Sequence, residues 1–165
     1  AALLRADEAA RAINAALRFL GYRPRSEREV RDRLRRRGFS DEAVEAAVAR
    51  LQEWRYLDDA EFARFWVENR AQHQPRGRRR LRAELRAKGV DPDLVDQAID
   101  EAGGDELPAA LALARKRVAS LRGLDPLVQR RRLVGFLQRR GYDWDIVRAV
   151  LVDVLGDDED AAEPE

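Results

Sequence analysis

The 165-residue sequence contains no cysteine, one histidine and only two lysines among its 32 basic residues. Without cysteine the chain can form no disulfide, no thiol nucleophile and no thiolate metal site, so we expect a reducing compartment, the cytoplasm. No apolar run approaches the roughly 18 residues that a membrane-spanning helix requires, and no leader-like segment is visible. The chain is therefore expected to be soluble and to bind no membrane.

Sites for catalysis and for nucleotide binding are also missing from the sequence. His73 has no serine or carboxylate partner at a recognisable spacing, so it makes a poor general base. Glycine-rich loops of the type that cradles the phosphates of ATP or of a dinucleotide do not occur. We accordingly expect no enzyme activity, no catalytic residue, no metal and no cofactor.

Helix-forming residues dominate what is present, and the alternation typical of strands is almost absent. Three segments of similar pattern follow one another, with Gly38, Gly89 and Gly141 spaced 51 and 52 residues apart. Each glycine falls where a helix should end, and an amphipathic stretch precedes each segment. The pattern predicts an all-α fold, a tandem array of three three-helix repeats that is elongated and, as stacked repeats allow, curved.

Domain boundaries follow from this repeat. We predict an N-terminal lead-in, three helical repeats and an acidic tail that is disordered, at residues 1–11, 12–54, 55–104, 105–155 and 156–165.

Charge is segregated along the chain although its 32 basic and 31 acidic residues nearly cancel. The segments 23–37, 76–88 and 130–140 carry net charges of +5, +6 and +5, and each covers the second helix of a repeat. Arginines spaced three and four apart form a stripe on the second of these helices. The first helix has arginine at all three equivalent positions, and the third helix has it at one.

A solvated helix face explains any single stripe, but recurrence at the same offsets favours a surface for a polyanion or an acidic groove. The candidate partner-binding or nucleic-acid-binding residues are Arg23, Arg25, Arg28, Arg31, Arg35, Arg76, Arg78, Arg79, Arg82, Arg86, Lys88 and Arg131.

Two motifs have competing interpretations. Ser26 and Glu29 have the spacing of a capping box, which leaves the preceding arginines in a loop. Asp58 and Asp59 could form a recognition loop or hold a cation, but capping of the next helix is the favoured interpretation, because no further ligands for a cation are visible.

Three tryptophans have a similar ambiguity. Trp54, Trp66 and Trp144 could stack on unpaired bases, but in helices this apolar we favour packing.

The order of several motifs resembles the RecX family, the regulators of the RecA recombinase, from about residue 12 to 151. The match is specific across the first two repeats and looser in the third. The motifs are Ala16–Leu20, Arg23–Ser26, Glu29-Val30 with Leu34, Tyr56–Asp59 with Phe62-Ala63, Gly77–Arg79 through Leu85, and Lys88–Val90.

This resemblance implies a nine-helix protein that lies in the groove of the RecA nucleoprotein filament. We expect the protein to be monomeric. There it would restrain the ATPase, strand exchange and coprotease activities of the recombinase. Whether the basic face contacts protein or DNA, single-stranded or double-stranded, stays open. The alternatives are a helical-repeat DNA-binding protein that acts without a recombinase, and a scaffold whose charge serves only solubility.

Overall fold

A computed structural model describes residues 2–156, with side chains from residue 5 onward. This part of the chain contains nine helices and no strand, which confirms the predicted all-α fold of three successive helix triplets. The elongated form of the array stays a prediction, and the acidic tail predicted from residue 156 lies, from residue 157 on, outside the described residues. The helices are α1 Ala2–Leu20, α2 Glu27–Arg36, α3 Asp41–Glu53, α4 Asp59–His73, α5 Arg78–Ala87, α6 Pro92–Ala102, α7 Glu106–Ala119, α8 Pro126–Arg139 and α9 Trp144–Leu155.

The second helix of each triplet ends at the repeated glycine. Gly38, Gly89 and Gly141 have φ values of 86°, 78° and 89°, in the left-handed region where a side chain would be strained. The helix stops predicted from the 51- and 52-residue spacing are therefore confirmed.

Side-chain caps begin two of the helices as the sequence predicts. The Ser26 hydroxyl accepts from the Glu29 amide at 3.2 Å, and the Glu29 carboxylate accepts from the Ser26 amide at 3.0 Å, completing a capping box at α2. Asp58 Oδ1 accepts from the amide of Ala60 at 2.9 Å and so caps α4.

The chain folds into two compact units, and the second helix triplet is shared between them. Unit 1 comprises the described residues of Ala1–Val67 and Glu84–Glu101, and unit 2 those of Glu68–Ala83 and Ala102–Glu165. These units do not test the predicted boundaries of the three repeats, which stay a prediction.

Apolar positions that recur in the repeat form the cores. Burying each such leucine or valine stabilises the fold by roughly 1.5–3 kcal/mol relative to an exposed side chain. The equivalent positions are Val30, Leu81 and Leu133, then Leu34, Leu85 and Leu137, then Val44, Val95 and Val147, and all nine are buried.

Candidate functional site

The Glu29 carboxylate, in unit 1, binds two of the basic residues that were predicted to contact a partner. Arg23 Nη2 donates to Glu29 Oε1 at 2.6 Å, and Lys88 Nζ donates to the same oxygen at 2.9 Å. Burial of Glu29 raises its pKa, but the hydrogen bonds from Arg23, Lys88 and the Ser26 amide outweigh this effect and lower the pKa to about 2. Lys88 thus links the end of α5 to α2, and Arg23 links the loop before α2 to the same carboxylate.

Arg28, a third predicted site residue, lies where the backbone after α5 comes close to α2. The Ser26 hydroxyl donates to the Lys88 carbonyl at 2.6 Å. Gly89 packs against the Arg28 side chain so tightly that an added Cβ would lie 2.3 Å from Arg28 Cδ. Arg28 therefore lies against the end of α5 with its aliphatic part, while its Nε is 3.9 Å from a carboxylate oxygen of Asp32.

The arginine stripe of the first triplet faces acids of its own chain. Arg31 donates to Glu45 at 3.0 Å and to Glu27 at 3.1 Å, and these bonds raise its pKa, the bond to Glu45 most strongly. Arg35 donates to Asp41 at 2.9 Å. The periodicity of α2 predicted a basic surface that faces a partner. Acids in the first turns of α3 neutralise much of the positive charge of that surface.

Arg25 also has an internal contact. Its guanidinium carbon lies 4.0 Å from the centre of the Phe19 ring, a cation–π geometry. Burial is the largest cause that lowers the pKa of Arg25.

The predicted residues around α5 have different environments. In unit 2, the Arg78 amide donates to Glu106 Oε1 at 2.8 Å, which caps the start of the helix. Arg82, also in unit 2, is half-buried, and Arg86, in unit 1, is exposed. Arg131, on α8 in unit 2, is exposed.

Unit 2 contains an open cleft of about 530 Å³ between the start of α5 and the end of α8. We call it the arginine cleft. None of the described residues that line it is acidic. They are Arg76, Arg79, Arg80, Ala83, Gln138, Arg139 and Gly141.

Two glycines bring the walls of the arginine cleft together. The Gly77 amide donates to the Arg140 carbonyl at 2.9 Å, and a Cβ at Gly77 would lie 2.2 Å from the Gly141 carbonyl oxygen. Across the joint, Arg79 Nη2 donates to the Gln138 carbonyl at 2.7 Å. A guanidinium of α5 is thereby fixed at the end of α8, where the helix dipole favours a cation.

Comparison with known proteins identifies the repeat. Family models described as the first, second and third three-helix domains of RecX match residues 12–51, 58–99 and 105–151. The chain belongs to the RecX family. The resemblance drawn from the sequence motifs is thus confirmed, including the third repeat.

Individual RecX proteins are similar over most of their length. A regulatory protein RecX of Thermobifida fusca is 44% identical, over 82% of this chain and 74% of that protein. One of Prosthecochloris aestuarii is 38% identical, over 88% of this chain and 94% of that protein. The crystal structure of RecX from Lactobacillus salivarius has a TM-score of 0.81 at 21% identity, covers 90% of this chain and 97% of that one, and supports the fold.

The RecX domains contribute unequally to the arginine cleft. Arg76 and Arg79 were predicted as site residues, whereas Arg80 and Arg139 were not. Arg80 lies off the three-and-four stripe, and Arg139 belongs to a domain in which the stripe is largely lost. The run of +5 in residues 130–140 was the available signal, but only the Gly77–Gly141 joint shows which part of it meets α5.

The tryptophans differ in their surroundings. Packing was the wrong prediction for Trp54, which is 46% exposed beside the Tyr56 ring. Trp66 is half-buried and donates from Nε1 to Glu84 at 2.9 Å, and Trp144 is half-buried against the core of the third RecX domain.

The paired aspartates act in the fold. Asp58 is the cap of α4, and Asp59 Oδ1 accepts from the Glu27 amide at 2.9 Å.

Within the described residues, no group of three or more histidines and carboxylates is placed to hold a metal ion. Nor is any helix of this part of the chain both long and apolar enough to cross a membrane.

Proposed function

We propose that this protein is a noncatalytic regulator that binds the RecA nucleoprotein filament and restrains its ATPase, strand-exchange and coprotease activities. In the cytoplasm it would thereby modulate homologous recombination, DNA repair and the SOS response. The observation that carries the proposal is the match of three successive RecX domains, together with relatives that are named regulatory proteins. Repeated domains suit a periodic filament, because several weak contacts add to a tight one.

The proposed contact surface is the basic side of α5 together with Arg131 and Arg139 of α8, which are exposed. Arg31 and Arg35 of the first RecX domain already donate to Glu27, Glu45 and Asp41, so a partner would have to compete with these acids. The arginine cleft brings Arg79 and Arg139 together with two further arginines, and this concentration of positive charge favours it as the place where an anionic partner binds.

An ATPase titration of a preformed RecA filament tests the function and the surface together. We expect the wild-type protein to inhibit, and R79E/R82E/R86E to require at least about tenfold more protein for the same inhibition, because three favourable contacts become repulsive. A matched control is R18E/R122E/R132E, which reverses three exposed arginines elsewhere in the chain. Circular dichroism checks that both variants keep their helicity.

The outcomes separate the two parts of this proposal. Failure of the wild-type protein to change filament ATPase would refute the proposed function. Equal inhibition by the α5 variant and the control would refute the assigned surface but leave the function standing.

A second candidate is a helical-repeat DNA-binding protein that acts without a recombinase, and the arginine cleft is the observation that favours it. Under this alternative the protein binds bare DNA tightly, with an affinity that falls steeply with salt, and leaves filament ATPase unchanged.

A further inference from the structure

We infer that the arginine cleft of unit 2 is a phosphate-binding site for the backbone of a nucleic-acid strand. The inference deepens the proposed function, on which it rests, because it assigns DNA rather than recombinase protein as the part of the filament that this cleft contacts. Three features of the cleft support it: the charge of its lining, the joint that shapes it, and the scarcity of apolar side chains.

The lining concentrates positive charge. Four of its seven residues are arginines, and guanidinium groups bind phosphate oxygens through paired, charge-assisted hydrogen bonds. A single carboxylate of a protein partner engages one such fork, whereas a nucleic-acid strand supplies a regular series of negative charges. Several arginines in one cleft therefore match a strand better than an isolated acid.

The joint makes the site largely preformed. Gly77 and Gly141 allow backbone contact that any side chain at Gly77 would prevent, since its Cβ would lie 2.2 Å from the Gly141 carbonyl oxygen. The Arg79 guanidinium is held by the Gln138 carbonyl at 2.7 Å, so binding costs less side-chain entropy there.

The lining has no large aromatic or aliphatic side chain that could anchor a protein partner. Protein interfaces are centred on aromatic or aliphatic anchors, and charged residues are depleted at their cores. In the arginine cleft the one hydrophobic residue among those described is Ala83, and the other uncharged residues are Gln138 and Gly141. This composition is typical of a backbone-binding surface of the kind that neutralises phosphates.

The test is fluorescence anisotropy with a labelled oligodeoxythymidylate, and a duplex of equal length, in the absence of any recombinase. We compare the wild-type protein with R79Q/R139Q and with the control R122Q/R132Q, which removes two exposed arginines of unit 2 outside the cleft. We expect R79Q/R139Q to bind single-stranded DNA about tenfold more weakly. The slope of log affinity against log salt should fall by about 1.4, since each single-strand phosphate contact contributes about 0.7.

Several results would overturn the inference. Wild-type protein that does not bind either DNA, or equal binding by the cleft variant and the control, excludes a phosphate site. Normal DNA binding by R79Q/R139Q combined with lost ATPase inhibition assigns the cleft to recombinase protein instead. R139Q alone is a second variant, because it leaves the Arg79–Gln138 hydrogen bond intact; it should reduce the salt slope by about 0.7.

The DNA-binding measurements and the ATPase titration can fail separately, so failure of the inferred site can be distinguished from failure of the proposed function. DNA binding that depends on the cleft, with no effect on filament ATPase, supports the site while refuting the regulator. Inhibition of the ATPase without DNA binding does the reverse.

Discussion

Replacement of Glu29 by glutamine tests the ionic contacts that join α2 to the preceding loop and to the end of α5. The side chain is 16% exposed and accepts from both Arg23 and Lys88. The pKa falls from 4.5 to about 2 on folding, and each pKa unit corresponds to about 1.4 kcal/mol, so the ionised carboxylate stabilises the fold by about 3 kcal/mol. Glutamine can still accept the Ser26 amide in the capping box, so E29Q should lose mainly this contribution.

The pH dependence gives the prediction its sign. A carboxylate with a lower pKa in the folded state contributes its full stabilisation above the unfolded value of 4.5 and loses it as the pH falls toward about 2. The difference in free energy of unfolding between wild type and E29Q should therefore be about 3 kcal/mol near neutral pH and shrink through this window.

Urea denaturation followed by circular dichroism measures this difference at each pH. The control is E53Q, which breaks the exposed ion pair of Glu53 with Arg50. It should lower the free energy of unfolding by less than about 0.5 kcal/mol. The ionic role assigned to Glu29 is refuted if E29Q is no less stable than E53Q at neutral pH, or if the stability deficit of E29Q is unchanged near pH 2.

Two further predictions concern the backbone joint of unit 2 and a half-buried acid of unit 1. Gly77→Ala should lower the thermal midpoint and weaken the hydrogen bond to the Arg140 carbonyl, because its Cβ would meet the Gly141 carbonyl oxygen; calorimetry and hydrogen exchange at the Gly77 amide measure the two effects. Asp59→Asn should leave stability unchanged or raise it at neutral pH, because burial raises the pKa of Asp59 and opposes its ionisation, while asparagine can still accept the Glu27 amide. This gain should disappear as the pH falls below the ordinary value of 3.8, where the carboxyl is protonated in both the folded and the unfolded state; thermal melts across that range check it, and a loss at neutral pH would contradict it.

Local and periodic features of the fold could be predicted from the sequence. Helix stops at Gly38, Gly89 and Gly141 depend on backbone conformation at one residue, and the buried positions depend on spacing within one helix. Both kinds of feature repeat every 51 or 52 residues, so three copies support each assignment. The capping box of Ser26 and Glu29 is local for the same reason.

Partners of charged side chains could not be predicted in this way. Arg31 meets Glu45 across a sequence separation of 14, and Arg79 meets the Gln138 carbonyl across 59. Both contacts depend on how two helices pack, and periodicity within either helix carries no information about it. The candidate arginines were therefore found by pattern, whereas those that face internal acids are distinguished only by tertiary structure.

The position of acids in the third helix of each RecX domain helps to explain why the domains differ. Glu45 accepts from Arg31 and lies near Arg35 in the first domain. The repeat spacings of 51 and 52 residues place Asp96 at the equivalent position of the second domain and Arg148 at that of the third. The position is thus acidic in the first two domains and basic in the third. Because that replacement adds positive charge in the domain that supplies the α8 wall of the arginine cleft, the later part of the repeat is better suited than its first domain to attract a polyanion.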